Sequence, residues 1–95
     1  MAKYYEWSPA KSDQLKETRG LGFEEVVSAI NESGLLAVEK HHNQSDYPGQ
    51  KMYIVKIQEY VFMVPFVEDK DKYFLKTIFP SRKMTKKYLI DRRKK

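Results

Sequence analysis

The stretch Met52 to Val67, MYIVKIQEYVFMVPFV, decides the fold. Met52 to Ile57 and Tyr60 to Val67 are two apolar runs rich in β-branched and aromatic residues, which suit a pleated, buried surface. Only Gln58 and Glu59 separate them, which predicts a tight hairpin, although the pair lacks the Gly that such turns favour. Tyr60 to Val67 is apolar almost throughout, so both faces of this strand are expected to be covered. Pro65 inside it has no N–H for a neighbouring strand, which predicts a bulge or an unpaired stretch.

Outward from the hairpin, Glu68 to Lys72 is a charged turn and Tyr73 to Phe79 a last strand. In strict alternation Lys76 shares a face with Phe74 and Ile78, while Tyr73, Leu75, Thr77 and Phe79 take the other. Pro80 breaks the strand. Ser81 can cap a final helix running to about Ile90, with Asp91 to Lys95 a frayed basic tail. Towards the N-terminus, His41 to Gln50 is a polar loop with Pro48-Gly49 as its turn signal, and Leu35 to Glu39 is a strand. Phe23, Val26, Val27 and Ile30 form one apolar stripe of a helix that Gly22 opens and Gly34 ends. Ser8-Pro9 starts an earlier helix that runs to Arg19 and stops at Gly20. Tyr4 to Trp7 is a short first strand. This order reads as α+β: an antiparallel sheet of four to five strands with two N-terminal helices and one C-terminal helix. With 95 residues and no linker, residues 1–95 make a single domain.

Composition narrows the function. The absence of Cys removes disulfides, thiol catalysis and cysteine-ligated zinc, and suits a reducing cytoplasm. The first residues show no apolar signal-peptide core, and the longest apolar run is far too short to span a bilayer as a helix, so no membrane partner is expected. Charge is segregated. Residues 1–50 hold five Lys/Arg against eight Asp/Glu, and residues 51–95 hold thirteen against five. From Ser81 onward eight Lys/Arg face Asp91 alone, a field that attracts polyanions.

The final helix places Arg82 and Lys83 in its first turn and Lys86 and Lys87 one turn on. Cations usually gather at the other end of a helix, where the dipole favours them. Here free N–H groups and guanidinium would point to one region, which suits a phosphate. Arg82 shares a face with Lys86, and Lys83 with Lys87, while Met84 and Tyr88 form a pair suited to packing on the sheet. The competing reading is a helix whose lysines are merely solvated. Imidazole titrates near neutrality, so His41 and His42 are candidates for general acid or base, with Glu39 placed to orient His41; the competing reading is that they are exposed loop residues. Two His and no paired carboxylates make a metal site unexpected. Lys51, Lys56 and Lys76 lie on or beside strands, interleaved with Tyr53, Tyr60, Phe62, Tyr73, Phe74 and Tyr88. Such a mixture can stack bases and hold phosphates, or be core aromatics with snorkelling lysines.

Three segments resemble the BrnT-type toxins of bacterial toxin–antitoxin systems. Tyr5-Glu6-Trp7-Ser8-Pro9-Ala10-Lys11 looks like their opening. Arg19-Gly20-Leu21-Gly22-Phe23-Glu24-Glu25-Val26 is similar to their Gly-x-Ser-Phe-Glu-Glu-Ala segment. Ile78-Phe79-Pro80-Ser81-Arg82-Lys83-Met84-Thr85-Lys86-Lys87 resembles their Ile-Ser-Ala-Arg-x-Ala-Thr-x-x-Glu ending. The resemblance implies a RelE-like fold and a metal-independent endoribonuclease, without cofactor, acting on mRNA free or on the ribosome. It also implies neutralisation by a small DNA-binding antitoxin of ribbon-helix-helix type. Arg82 falls on the family's arginine and Trp7 on its early Trp. Two departures stand out: Ser81 directly precedes Arg82, where the family has Ala between, and Lys87 or Tyr88 stands where it often has Glu. His41 to Val67 does not match, so the histidines are not assigned by resemblance.

The mechanism expected on this reading uses the RNA's own 2′-OH as nucleophile. Arg82 stabilises the phosphorane, and His41 or His42 serves as base or acid, with Lys51 or Lys76 as substitutes. Lys83, Lys86 and Lys87 hold flanking phosphates, with Lys76 beside them on the RNA. Two alternatives use the same helix: a non-catalytic RNA- or DNA-binding module, or a basic domain that meets an acidic protein.

Overall fold

The computed structural model describes residues 4–40, 45–46, 50–68 and 70–90. In chain order these form β1 (Tyr4–Glu6), α1 (Pro9–Arg19), α2 (Phe23–Asn31), β2 (Leu35–Lys40), β3 (Gln50–Ile57), β4 (Tyr60–Glu68), β5 (Lys72–Leu75), β6 (Phe79–Pro80) and α3 (Arg82–Thr85). A π-helical turn, Lys86–Ile90, continues α3. The fold is α+β, with three helices and one six-stranded sheet in the order β1-β5-β4-β3-β2, and β6 paired to β4. The sheet is mixed rather than wholly antiparallel, because β1 runs parallel to β5. That pairing joins strands at opposite ends of the sequence. It is set by packing across the sheet, where the Tyr5 and Tyr73 rings lie 5.6 Å apart.

The expected hairpin forms. β3 and β4 pair without a break from Ile57↔Tyr60 to Gln50↔Val67. The two connecting residues both take left-handed backbone, Gln58 at φ 53° and Glu59 at φ 67°. The right-handed twist of the strands requires this turn, and non-Gly residues adopt it at a cost of about 1 kcal/mol or more each. Replacing Gln58-Glu59 by Asn-Gly should therefore raise stability by about 1–2 kcal/mol in urea melts. The exposed Lys56–Glu59 ion pair removed by the exchange (3.5 Å) is worth too little to reverse the sign.

Pro65 does mark a bulge. β4 pairs with β5 at Phe66↔Leu75 and with β6 at Met63↔Phe79. Between these pairs β4 supplies Val64 and Pro65, whereas the segment that joins β5 to β6 supplies Lys76, Thr77 and Ile78. One extra residue opposite a residue that lacks an N–H is a bulge, and Pro65 keeps only its carbonyl in the ladder, accepting from the Lys76 N–H at 2.8 Å. The bulge corrects the expected alternation. Ile78 is wholly buried in the same cluster as Leu75 and Tyr73, on the face opposite to Phe74 and Lys76.

The helices α1 and α2 cover the face that carries Tyr53, Val55 and Ile57 of β3 and Val64 and Phe66 of β4; Leu15, Leu21, Phe23 and Val26 complete this core. Gly22 has no side chain to cap α2. The hydroxyl of Ser12, buried in α1, accepts from the Phe23 N–H at 3.1 Å, and Glu25 reaches back to the Gly22 N–H at 2.7 Å. The other end of α2 also departs from expectation. The left-handed residue there is Ser33 (φ 73°), not Gly34. Gly34 instead lets backbones meet: its N–H donates to the Ala29 carbonyl at 2.6 Å, and its carbonyl accepts from the Lys56 N–H at 2.8 Å.

Candidate nucleic-acid interface

The cationic segment is aimed by two hydroxyl residues. Ser81 follows β6 and keeps its place on the edge of β4, its N–H donating to the Val61 carbonyl at 3.0 Å. Its Oγ then accepts from the Met84 N–H at 3.1 Å and starts α3. Four residues on, Thr85 Oγ1 accepts from the Val61 N–H at 2.9 Å and donates to the Ser81 carbonyl at 2.7 Å. The Thr85 hydroxyl thus ends the β4 edge in place of another strand residue. With Thr85 buried against the sheet, Met84, Tyr88 and Leu89 become half-buried and Arg82, Lys83, Lys86 and Lys87 face solvent. The local signal for Thr85 in the sequence is a hydroxyl four residues after a capping Ser.

The helix itself is weaker than expected as an anion site. Its α-helical part has four residues and passes directly into the π-turn, so little dipole accumulates. Ser81 Oγ already takes the Met84 N–H. The positive field therefore comes from the side chains. No Asp or Glu occurs from Ser81 to Ile90. Among the described residues, Arg82, Lys83, Lys86 and Lys87 make no ion pair, and the Lys87 ammonium lies 5.5 Å from the Tyr88 ring centroid. Four lysines elsewhere are matched with carboxylates: Lys16 with Glu24 (3.4 Å), Lys51 with Glu68 (3.1 Å), Lys56 with Glu59 (3.5 Å) and Lys72 with Glu6 (2.8 Å).

The remaining candidates do not gather at Arg82. Lys51 lies opposite Phe66, whereas α3 begins beside Val61, five β4 residues away or about 17 Å along the strand. Lys76 is exposed, its ammonium 5.5 Å from the Phe74 ring centroid, on the sheet face opposite to α1 and α2. His41 and His42 lie outside the described residues, as do the Pro48-Gly49 turn and the 91–95 tail. Among the described residues no three His, Cys, Asp or Glu side chains form a metal-binding group, and no helix is long and apolar enough to cross a membrane. An open groove of about 360 Å³ lies at the end of α2, lined by Glu25, Glu32, Lys56 and Gln58 among others.

The strand aromatics divide between the faces. Tyr53 stacks on Phe66 at 4.0 Å and 11°, with Tyr5 and Tyr73 edge-on to Tyr53 at 6.1 and 6.3 Å, all on the helix side. These rings are core. Burial, reinforced by the neighbouring Tyr5, holds the Tyr53 hydroxyl protonated well above its ordinary value of 10.0. A raised folded pKa gives a stability contribution that is complete below the unfolded value and is lost as pH rises above it. Stability should accordingly fall as pH climbs past 10, and Tyr53→Phe should flatten that fall in urea melts taken across the alkaline range.

The molecule is thus an α+β domain that displays a cationic helical segment on a sheet edge. No family model matches the chain, and neither a curated protein nor a solved structure matches it.

Proposed function

We propose that this chain binds RNA through Arg82, Lys83, Lys86 and Lys87, and that it is the toxin of a toxin–antitoxin pair, acting in the cytoplasm as a metal-independent endoribonuclease on mRNA. The observation that carries the RNA reading is the exposure of four cations on one segment that make no ion pair with a carboxylate among the described residues. Phosphates approaching them release counterions and gain charge-assisted hydrogen bonds. The toxin reading rests on the resemblance of the Tyr5, Arg19 and Ile78 segments to BrnT-type toxins. On that reading a small DNA-binding antitoxin, of ribbon-helix-helix type, is the partner that neutralises it. Arg82 holds the scissile phosphate, because a guanidinium fork matches two phosphate oxygens as they gain charge in the phosphorane. The 2′-OH of the RNA is the nucleophile, and His41 or His42 takes or gives the proton. Lys51 is not a partner of Arg82 in that step, since its ammonium is held by Glu68 at the far end of the hairpin.

Incubating the purified protein with mRNA in EDTA, with and without ribosomes, tests this. Cleavage that Arg82→Ala abolishes is the expected result. Salt-sensitive binding without cleavage points to the second reading, a binding module without catalysis. That reading is favoured by the separation of Lys51 from Arg82.

A further inference from the structure

The sheet face opposite to α1 and α2 carries a second feature, at the end of β4 away from α3. Lys72 and Phe74 of β5, and Lys76 just after it, follow one another on this face; the register sets Tyr4 beside Lys72, and Glu6 of β1 and Val67 of β4 on either side of Phe74. Tyr4 is 51% exposed and Val67 37% exposed, and they are two of the three exposed large hydrophobic residues among the described ones. Glu6 is neutralised by Lys72 at 2.8 Å, so the surplus charge of the patch is the Lys76 ammonium above the Phe74 ring. All the other strand rings that interleave with lysines in the sequence, Tyr53, Tyr60, Phe62 and Tyr73, lie on the helix-covered face. Phe74 is the exception.

The geometry points to Phe74, with Val67 beside it and Lys76 over its ring, as a stacking platform for an unpaired base of single-stranded RNA. The assignment rests on the RNA-binding reading above and adds to it the kind of RNA. An aromatic face attracts any base, and a cation beside it holds the adjoining phosphate, so the pair reads a strand without reading its sequence. A base in a duplex is already stacked on its neighbours and offers no free face, so the site selects single strands. When a base settles on Phe74, the Lys76 ammonium moves aside towards that nucleotide's phosphate. From Val67 to Val61, beside which α3 starts, is six residues of β4, about 20 Å. One strand can therefore lie across Phe74 and continue to the cationic segment.

The test uses the full chain and a fluorescent single-stranded RNA of about twelve nucleotides, within the usual site size of such binders, read by anisotropy over a salt series. Phe74→Leu keeps an apolar side chain but removes the π-face; it should weaken binding roughly 5- to 150-fold at each salt concentration and leave the salt slope unchanged. Phe74→Trp should bind at least as tightly as the wild type. On an oligomer of the same length that lacks bases, wild type and Phe74→Leu should bind alike. Far-ultraviolet circular dichroism establishes that each variant is folded. Equal binding of the base-containing RNA by wild type and folded Phe74→Leu overturns the platform and leaves the RNA reading standing. Absence of any binding by the wild type at low salt overturns the RNA reading, and the platform with it.

Discussion

Changing Arg82, Lys83, Lys86 and Lys87 together to Gln is expected to remove most of the affinity for RNA and to abolish growth arrest when the protein is expressed alone. Gln keeps side-chain length and helix preference, so the exchange removes charge with little change of fold. Each phosphate that is no longer neutralised lowers the salt dependence of binding to a single strand by about 0.7 in log–log slope, so removing four cations should lower it by about 2.8. The effect is large because these four side chains have no carboxylate partner among the described residues to share their field. Arg82→Lys separates two roles within it. Lys keeps the charge but not the planar fork, so binding should be nearly kept and cleavage abolished. A folded fourfold variant with the wild-type slope would place the RNA elsewhere and end the proposal.

The second large effect concerns stability. Gly34→Ala should destabilise the fold by about 2–3 kcal/mol, a substantial part of the roughly 5–15 kcal/mol that holds a domain together. A Cβ on Gly34 would stand 2.7 Å from the Ala29 carbonyl oxygen and 2.8 Å from that of Lys56. Both are backbone atoms, one at the end of α2 and one in the central hairpin, so neither can yield without moving its element. At about 4–8 °C per kcal/mol for a domain of this size, the melting temperature should drop by roughly 10 °C or more. The neighbouring exchange has the opposite sign. Ser33 carries the left-handed backbone at φ 73°, and Ser33→Gly should gain about 0.5–1 kcal/mol. Thermal melts of the two variants decide the matter. A neutral Gly34→Ala would mean that the Ala29 and Lys56 carbonyls do not close on Gly34, and a destabilising Ser33→Gly would mean that Ser33 does not carry left-handed backbone.

Much of the sheet was legible because its signals are local. Two apolar runs two residues apart can scarcely pair with anything but each other, since closing so short a loop costs little chain entropy. Pro65, through its missing N–H, announced a bulge or an unpaired stretch. What followed from the bulge was not legible. Alternation counted from Tyr73 puts Ile78 beside Phe74, and the extra residue opposite Val64 and Pro65 reverses the phase, sending Ile78 into the core. The parallel partner of β1 was hidden for a different reason. Three residues, Tyr4 to Glu6, carry no pairing code, and their place depends on rings brought together from distant parts of the chain.

For the candidate site, residue type and order alone determined the cationic run, the capping Ser81 and the want of acidic neighbours. These are properties of a short segment and need no partner to be read. Only the tertiary structure decided where that segment points. Thr85 had to meet the open edge of β4 at Val61 before one side of the helix became inside and the other outside. Likewise only the folded sheet put Phe74 on the face opposite to the other strand rings and parted Lys51 from Arg82. A charge is fixed by covalent chemistry, but its neighbours are fixed by strand register, which a single residue of bulge can change.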